Sequence, residues 1–298
     1  MKGIGKKSAL VIAMLMLASC LLSSCAPKVK LDAEPPKSLK ILAIGNSFSI
    51  DAMEFLYGIA TAGGVEEVVL GNLYVGGCSV EKHVNIANAD QAAYTYFKNT
   101  TGDWEETENY KMSDAIADED WDYISMHQSS ALSGISESYA EPLAELISIV
   151  REQNSDATLI WQMTWAYQHD CEEEAFEDYN KDQMTMYNQI LACVKEHIEE
   201  NDDIEIIIPT GTAIQNARTS FLGDTLTRDG FHLNRFIGRY IAGLTWFAAI
   251  TNAPIEDIDY NPFPGIITDQ MIEMAKEAVT NAVQEPYEIT QSTFTEES

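Results

Sequence analysis

Basic residues are scarce in this 298-residue chain: 18 Lys and Arg stand against 47 Asp and Glu, a formal net charge of −29. A body this acidic repels phosphate backbones and anionic membrane surfaces, which argues against sequence-independent nucleic-acid binding by counterion release. Cysteine is scarce as well, with five in all, too few for a disulfide scaffold at this length. Nine Pro and 17 Gly are near average and exclude collagen-like and low-complexity classes. What is present is 46% hydrophobic residues, enough to bury a substantial single core.

The few basic residues are unevenly placed. Lys2, Lys6 and Lys7 precede an apolar run from Ala9 through Leu17, and residues 1–25 hold no acid. That run is too short to cross a bilayer as a helix, and a basic start, an apolar stretch and small residues before a cysteine are how a secretory signal is built. Leu17-Ala18-Ser19-Cys20 and Leu22-Ser23-Ser24-Cys25 both resemble the bacterial lipobox, which implies cleavage and lipidation at Cys25, the preferred site, or at Cys20. Loss of residues 1–24 removes three lysines and no acid, so −29 becomes −32. The expected organisation is a leader over 1–24, a lipidated cysteine and flexible tether over 25–37, one domain over 38–287 and an acidic tail over 288–298.

Within the domain, apolar runs at 39–44, 68–74, 123–126, 158–163 and 204–208 read as buried strands. Helical periodicity falls at 50–62, 137–152, 173–199, 235–249 and 268–283. Strands that are continuous apolar runs and alternate with helices predict an α/β fold, a three-layer αβα sandwich around a five-stranded parallel sheet. In such sheets function collects at the carboxyl ends of the strands.

The first strand ends in Ala43-Ile44-Gly45-Asn46-Ser47-Phe48-Ser49. A glycine followed by a serine at a strand-to-helix turn exposes the Ser47 hydroxyl at the sheet's edge, although Ser47 or Ser49 could equally cap the helix. Far downstream, Asp229 and His232 stand three apart with Gly230 between them. That spacing lets the carboxylate hold one imidazole nitrogen while the other faces a nucleophile; the plainer alternative is a turn with an exposed histidine. Trp165 and Tyr167 follow the fourth strand, where they either stack on a sugar or roof the core. The connection from Ser79 to Asp120, with Trp104, could build one wall of a cleft. Cys78 adjoins Gly76-Gly77, but no base is linked to it in sequence. No cysteine or histidine cluster has zinc spacing and no P-loop or dinucleotide fingerprint occurs, so neither metal nor cofactor is expected.

Gly45-Asn46-Ser47, Gly76-Gly77, Gln128 and Asp229-x-x-His232 resemble the ordered blocks of the SGNH (GDSL-type) hydrolase superfamily, over about residues 39–249. The stretches from Trp121 to Ser130 and from Gln162 to Tyr167 look like a bacterial, often lipoprotein, subgroup catalogued as a domain of unknown function. The resemblance implies a flavodoxin-like SGNH fold, with Ser47 as nucleophile, His232 as general base and Asp229 as its orienting partner. It also implies an oxyanion hole from the Ser47 amide, Gly76 or Gly77, and the Gln128 side chain, with Asn46, Trp165 and Tyr167 on the substrate. Two blocks depart from the pattern: Gly-Asp-Ser reads Gly-Asn-Ser, and the Gly-x-Asn-Asp block reads His127-Gln128-Ser129-Ser130. The function implied is a serine esterase removing small acyl groups, such as acetyl, from carbohydrate. It would be exported and held at the bacterial cell envelope by its lipid alone, with an acylated small molecule or glycan as its partner and no nucleic acid. The competing expectation is a glycan-binding lipoprotein on the same scaffold whose chemistry has decayed.

Overall fold

The computed structural model describes residues 30–295. The five apolar runs are strands: β1 (Ser38–Gly45), β2 (Glu67–Tyr74), β5 (Tyr123–Met126), β6 (Thr158–Gln162) and β7 (Ile204–Ile208). They pair in parallel in the order β2-β1-β5-β6-β7. This is the flavodoxin-like order, with connections leaving β1 in opposite directions on its two sides. Ligands in such sheets bind at that switch point, the carboxyl end of β1. Leu39, Ile41, Leu42, Ala43 and Ile44 are all fully buried, as a central strand covered on both faces requires.

The sheet has seven strands, not the expected five. An antiparallel hairpin, β3 (Tyr94–Asn99) and β4 (Trp104–Tyr110), adds to the β2 edge. Strand β4 reads WEETENY and is mostly exposed, so it carries no apolar run to announce it. The tip is a side-chain turn in which Asn99 Oδ1 accepts from the amides of Thr101 and Gly102. Asn99, the first residue of a glycosylation-like triplet, is buried in that role.

The helix expected over 50–62 is two, α1 (Ser47–Met53) and α2 (Leu56–Ala62). Next come α3 (Val80–Asn88), α4 (Met112–Ile116), α5 (Ala140–Gln153) and α6 (Gln183–Val194). The long pattern over 173–199 contains α6 but opens as a 3-10 segment and breaks at Asn180 and Lys181, with φ of 57° and 52°. Last are α7 (Thr210–Arg218), α8 (Ile237–Thr251) and α9 (Asp269–Gln284). Helices α1, α2, α7, α8 and α9 pack together in one layer, and α3, α4 and α5 pack in another.

Both ends of the domain are more firmly attached than the sequence suggests. Leu31 packs on the core, the Ala33 amide donates to the Asn252 carbonyl at 3.0 Å, and the Lys37 carbonyl accepts from Glu66 and Glu67. In the tail, Ile289 and Phe294 pack on the core, the Thr290 amide donates to Asn216 Oδ1 at 2.7 Å, and the Phe221 amide donates to the Phe294 carbonyl at 2.8 Å. The leader, Cys20, Cys25 and the start of the tether lie outside the described residues. Among the described residues no helix is long and apolar enough to cross a membrane.

Candidate active site

Strand β1 ends where there is no room for a side chain: a Cβ on Gly45 would collide with the His127 ring and Ser49. The chain turns at Asn46, whose Oδ1 accepts from the Phe48 amide at 2.9 Å and caps α1. Its Nδ2 donates to the Cys78 carbonyl at 3.0 Å, fastening this turn to the loop after β2. Both ends of the Asn46 amide are hydrogen-bonded and the residue is 1% exposed, so it positions the turn. Ser47 is left as the first residue of α1, half-buried at the switch point.

The second component comes from the loop before α8. Gly230, with φ of 92°, lets the chain fold back so that Asp229 Oδ1 accepts from the His232 amide at 2.8 Å. His232 Nδ1 donates to Asp229 Oδ2 at 2.7 Å. The Ser47 hydroxyl lies 2.8 Å from Nε2. A carboxylate only accepts, so the ring proton sits on Nδ1 and Nε2 is left to receive the serine proton. Partial burial works against the Asp229 charge, but hydrogen bonds from the His232 ring and amide outweigh it and hold its carboxyl below the usual range.

A residue that the sequence did not single out joins the two components. Asp51, on α1 and fully buried, accepts from Arg228 Nη1 at 3.0 Å, Arg239 Nε at 2.8 Å and the Leu233 amide at 2.8 Å. One carboxylate thus ties the residue after His232 to the helix that carries Ser47. The only sequence signal is its place four residues after Ser47, and one acid among 47 says nothing until its partners are known.

Three expected site residues fall elsewhere. Gln128 Nε2 donates to the carbonyl and hydroxyl of Ser138, each at 3.1 Å, while its Oε1 accepts from Val80 and Ser129. Its donors are engaged in holding loops. Trp165 is fully buried, stacked on Phe48 with ring centroids 4.0 Å apart, and donates to the Phe231 carbonyl at 2.7 Å. Tyr167 is buried with its hydroxyl 2.9 Å from Ser130 Oγ. Both rings support the Ser47 helix and the His232 loop from within the core.

Gly76 and Gly77 form an exposed turn after β2 whose amides make no turn or loop hydrogen bond. The Ser47 amide, first in its helix, has no acceptor within α1. Cys78 is buried, which pushes its thiol up to about 12 and keeps it protonated at neutral pH. Cys171 and Cys193 are also buried and free.

A cavity of about 710 Å³ opens at the opposite edge of the sheet beside Ser38, Tyr123 and Thr158, where the strands begin. A smaller one of about 250 Å³ lies between α1 and the β3–β4 hairpin. Among the described residues no group of three His, Cys, Asp or Glu is placed to hold a metal ion.

A doubly wound sheet whose switch point carries a serine, a histidine and an aspartate in one hydrogen-bonded chain defines the class: an α/β protein with a Ser-His-Asp triad. The chain belongs to the family described as a domain of unknown function, DUF4886, which matches residues 40–282. That is the kind of family its ordered blocks resemble. It is similar to a DUF4886 family protein from Bacteroides uniformis, with 42% identity and a TM-score of 0.82 over 85% of this chain and 98% of that one. It is more distantly similar to a candidate SGNH hydrolase from Slackia heliotrinireducens, at 17% identity and a TM-score of 0.48 over 72% and 99% of the two chains. A candidate GDSL-like lipase from Parabacteroides merdae stands at 14% and 0.45, over 76% and 100%. No curated protein matches the chain.

Proposed function

We propose that this protein is a serine esterase of the SGNH type that removes small acyl groups, acetyl among them, from carbohydrate. The observation that carries this reading is the chain from Asp229 through His232 to Ser47, closed by contacts of 2.7 and 2.8 Å. His232 Nε2 takes the Ser47 proton as Oγ attacks the ester carbonyl, and Asp229 steadies the imidazolium that forms. Collapse of the tetrahedral intermediate breaks the ester bond, and His232 returns the proton to the departing sugar hydroxyl. Water, deprotonated by His232, then attacks the acyl-serine and releases the acid. With Gln128 committed to Ser138, backbone donors at Ser47 and at Gly76 or Gly77 are left to meet the oxyanion.

Purified protein is expected to hydrolyse 4-nitrophenyl acetate, and Ser47→Ala to abolish turnover; equal rates would refute the reading. A fluorophosphonate probe is expected to label Ser47 and to fail in His232→Ala. The decayed, glycan-binding alternative gains nothing from Trp165 and Tyr167, both buried.

The exported, lipid-anchored state is a separate part of the proposal and rests on the leader residues. Labelled palmitate should enter the protein in a bacterial host and be lost from a Cys20→Ala, Cys25→Ala double variant.

A further inference from the structure

Helix α1 buries Phe48, Ser49, Asp51, Ala52 and Met53. Ser47, Ile50 and Glu54 stay partly open, and their spacing of three and then four puts them on one helical face. Ile50 and Glu54 of that face line the cavity of about 250 Å³, whose other walls are Asn72 on β2, Phe97 on β3 and Trp104 on β4. The register explains the grouping, since Asn72 pairs with Phe97 and Trp104 pairs with Asn99, which lies on the same face of β3 as Phe97. The Tyr57 hydroxyl donates to the Thr100 carbonyl at 3.3 Å and pins the hairpin tip beside the helices. From Ser47 to Glu54 is about 10 Å along the axis at 1.5 Å per residue, so the trough runs away from the reactive hydroxyl by about one sugar unit.

Asn72 is fully buried, and its Nδ2 has no partner among the described residues. Its Oδ1 lies 2.9 Å from Ser49 Oγ, which is also 2.8 Å from the Asn46 carbonyl. Ser49 has one proton for two neighbours, and in either orientation of the amide one Asn72 atom is left unsatisfied at the cavity wall. A ligand hydroxyl, donor and acceptor in one group, completes both arrangements. An acyl chain would leave the amide unpaired.

We infer that this trough is the subsite for the sugar ring of the substrate, with Trp104 and Phe97 against its C–H face and Asn72 and Glu54 on its hydroxyls. Glu54 is held in place by Arg239 Nη1 at 3.0 Å. The volume, somewhat below that of ordinary ligand pockets, admits one ring and not an oligosaccharide. The substrate assigned is therefore a singly seated pyranose whose acylated hydroxyl reaches Ser47. This deepens the esterase reading and rests on it, but its test does not require turnover.

Ser47→Ala protein titrated in a calorimeter with a methyl glucopyranoside carrying a single acetyl group and three free hydroxyls is expected to bind saturably. Adding Trp104→Ala should weaken binding by about tenfold or more, while Trp104→Phe should keep most of it. Ile50→Trp, which fills the trough from a half-exposed helix position, should also abolish binding and serves should Trp104→Ala fail to fold. In the active protein Trp104→Ala should lower the ratio of kcat/KM for the sugar ester to that for 4-nitrophenyl acetate by a similar factor. Absent binding, or binding indifferent to both trough variants, overturns the subsite. Binding lost on Trp104→Ala in a protein that hydrolyses neither ester leaves the subsite standing and overturns the esterase.

Discussion

At the scale of single residues, the candidate chemistry depends on groups that never touch a substrate. Asp229 can only accept from His232, which keeps the ring proton off Nε2. Asn at that position can turn its amino group toward Nδ1 and favour the opposite tautomer. Asp229→Asn is therefore expected to lower kcat by on the order of 10² or more with little change in folding, read by ester hydrolysis beside circular dichroism. Asp51 is a different case, because its removal strands charge in the interior. Asp51→Ala leaves the Leu233 amide without its acceptor and takes the buried carboxylate from two guanidiniums, of which Arg239 keeps only Glu54 and Arg228 only the Leu233 carbonyl. The expected loss is about 3–5 kcal/mol in urea unfolding. Asp51→Asn, which can still accept from Leu233, should lose less. Equal stability of Asp51→Ala and wild type would remove Asp51 from the clamp.

At the scale of elements, the site is a meeting of three loops, and their attachments are side-chain caps. Asn46 both caps α1 and holds the β2 loop through the Cys78 carbonyl. Asn46→Ala should cost about 1–2 kcal/mol, and Asn46→Asp should restore the cap while facing the Cys78 carbonyl with a second acceptor. A thermal melt of the two variants separates these contributions. The hairpin shows why some elements escape sequence reading. Strand β4 owes its place to pairing with β3, and its exposed acidic residues carry neither apolar alternation nor a continuous run. The same holds for α1 and α2, which read as one pattern because the break at Glu54 and Phe55 leaves no mark in composition.

At the scale of the molecule, acidity and buried histidines set its response to pH. Burial pushes His83 and His127 from an ordinary 6.5 to about 3, and both His127 nitrogens lack partners. As pH falls through about 6.5 the unfolded chain takes up these protons and the folded chain does not, so stability is complete above that value and declines toward about 3. The slope is at most about 1.4 kcal/mol per pH unit for each ring. Urea midpoints should fall steadily from pH 7 to pH 5. His127→Leu, which removes two unpaired nitrogens from the core, should cost little at pH 7 and flatten that decline. Asp229 works in the same direction lower down, since its depressed carboxyl loses its stabilising hydrogen bonds as pH falls through its folded value.

The five parallel strands, their alternation with helices and the candidates Ser47, Asp229 and His232 were legible in the sequence itself. Buried strands must be continuous apolar runs, and a triad with two members three residues apart leaves a local trace. Tertiary structure alone decided which aromatics line a surface cavity and which lie beneath the site, because Trp165 and Trp104 are equally apolar and differ only in what covers them. It decided likewise that Gln128 is spent on Ser138 and that Asp51 joins helix to loop. Those outcomes depend on partners distant in the chain, and a hydrogen bond between distant residues has no signature in either residue alone.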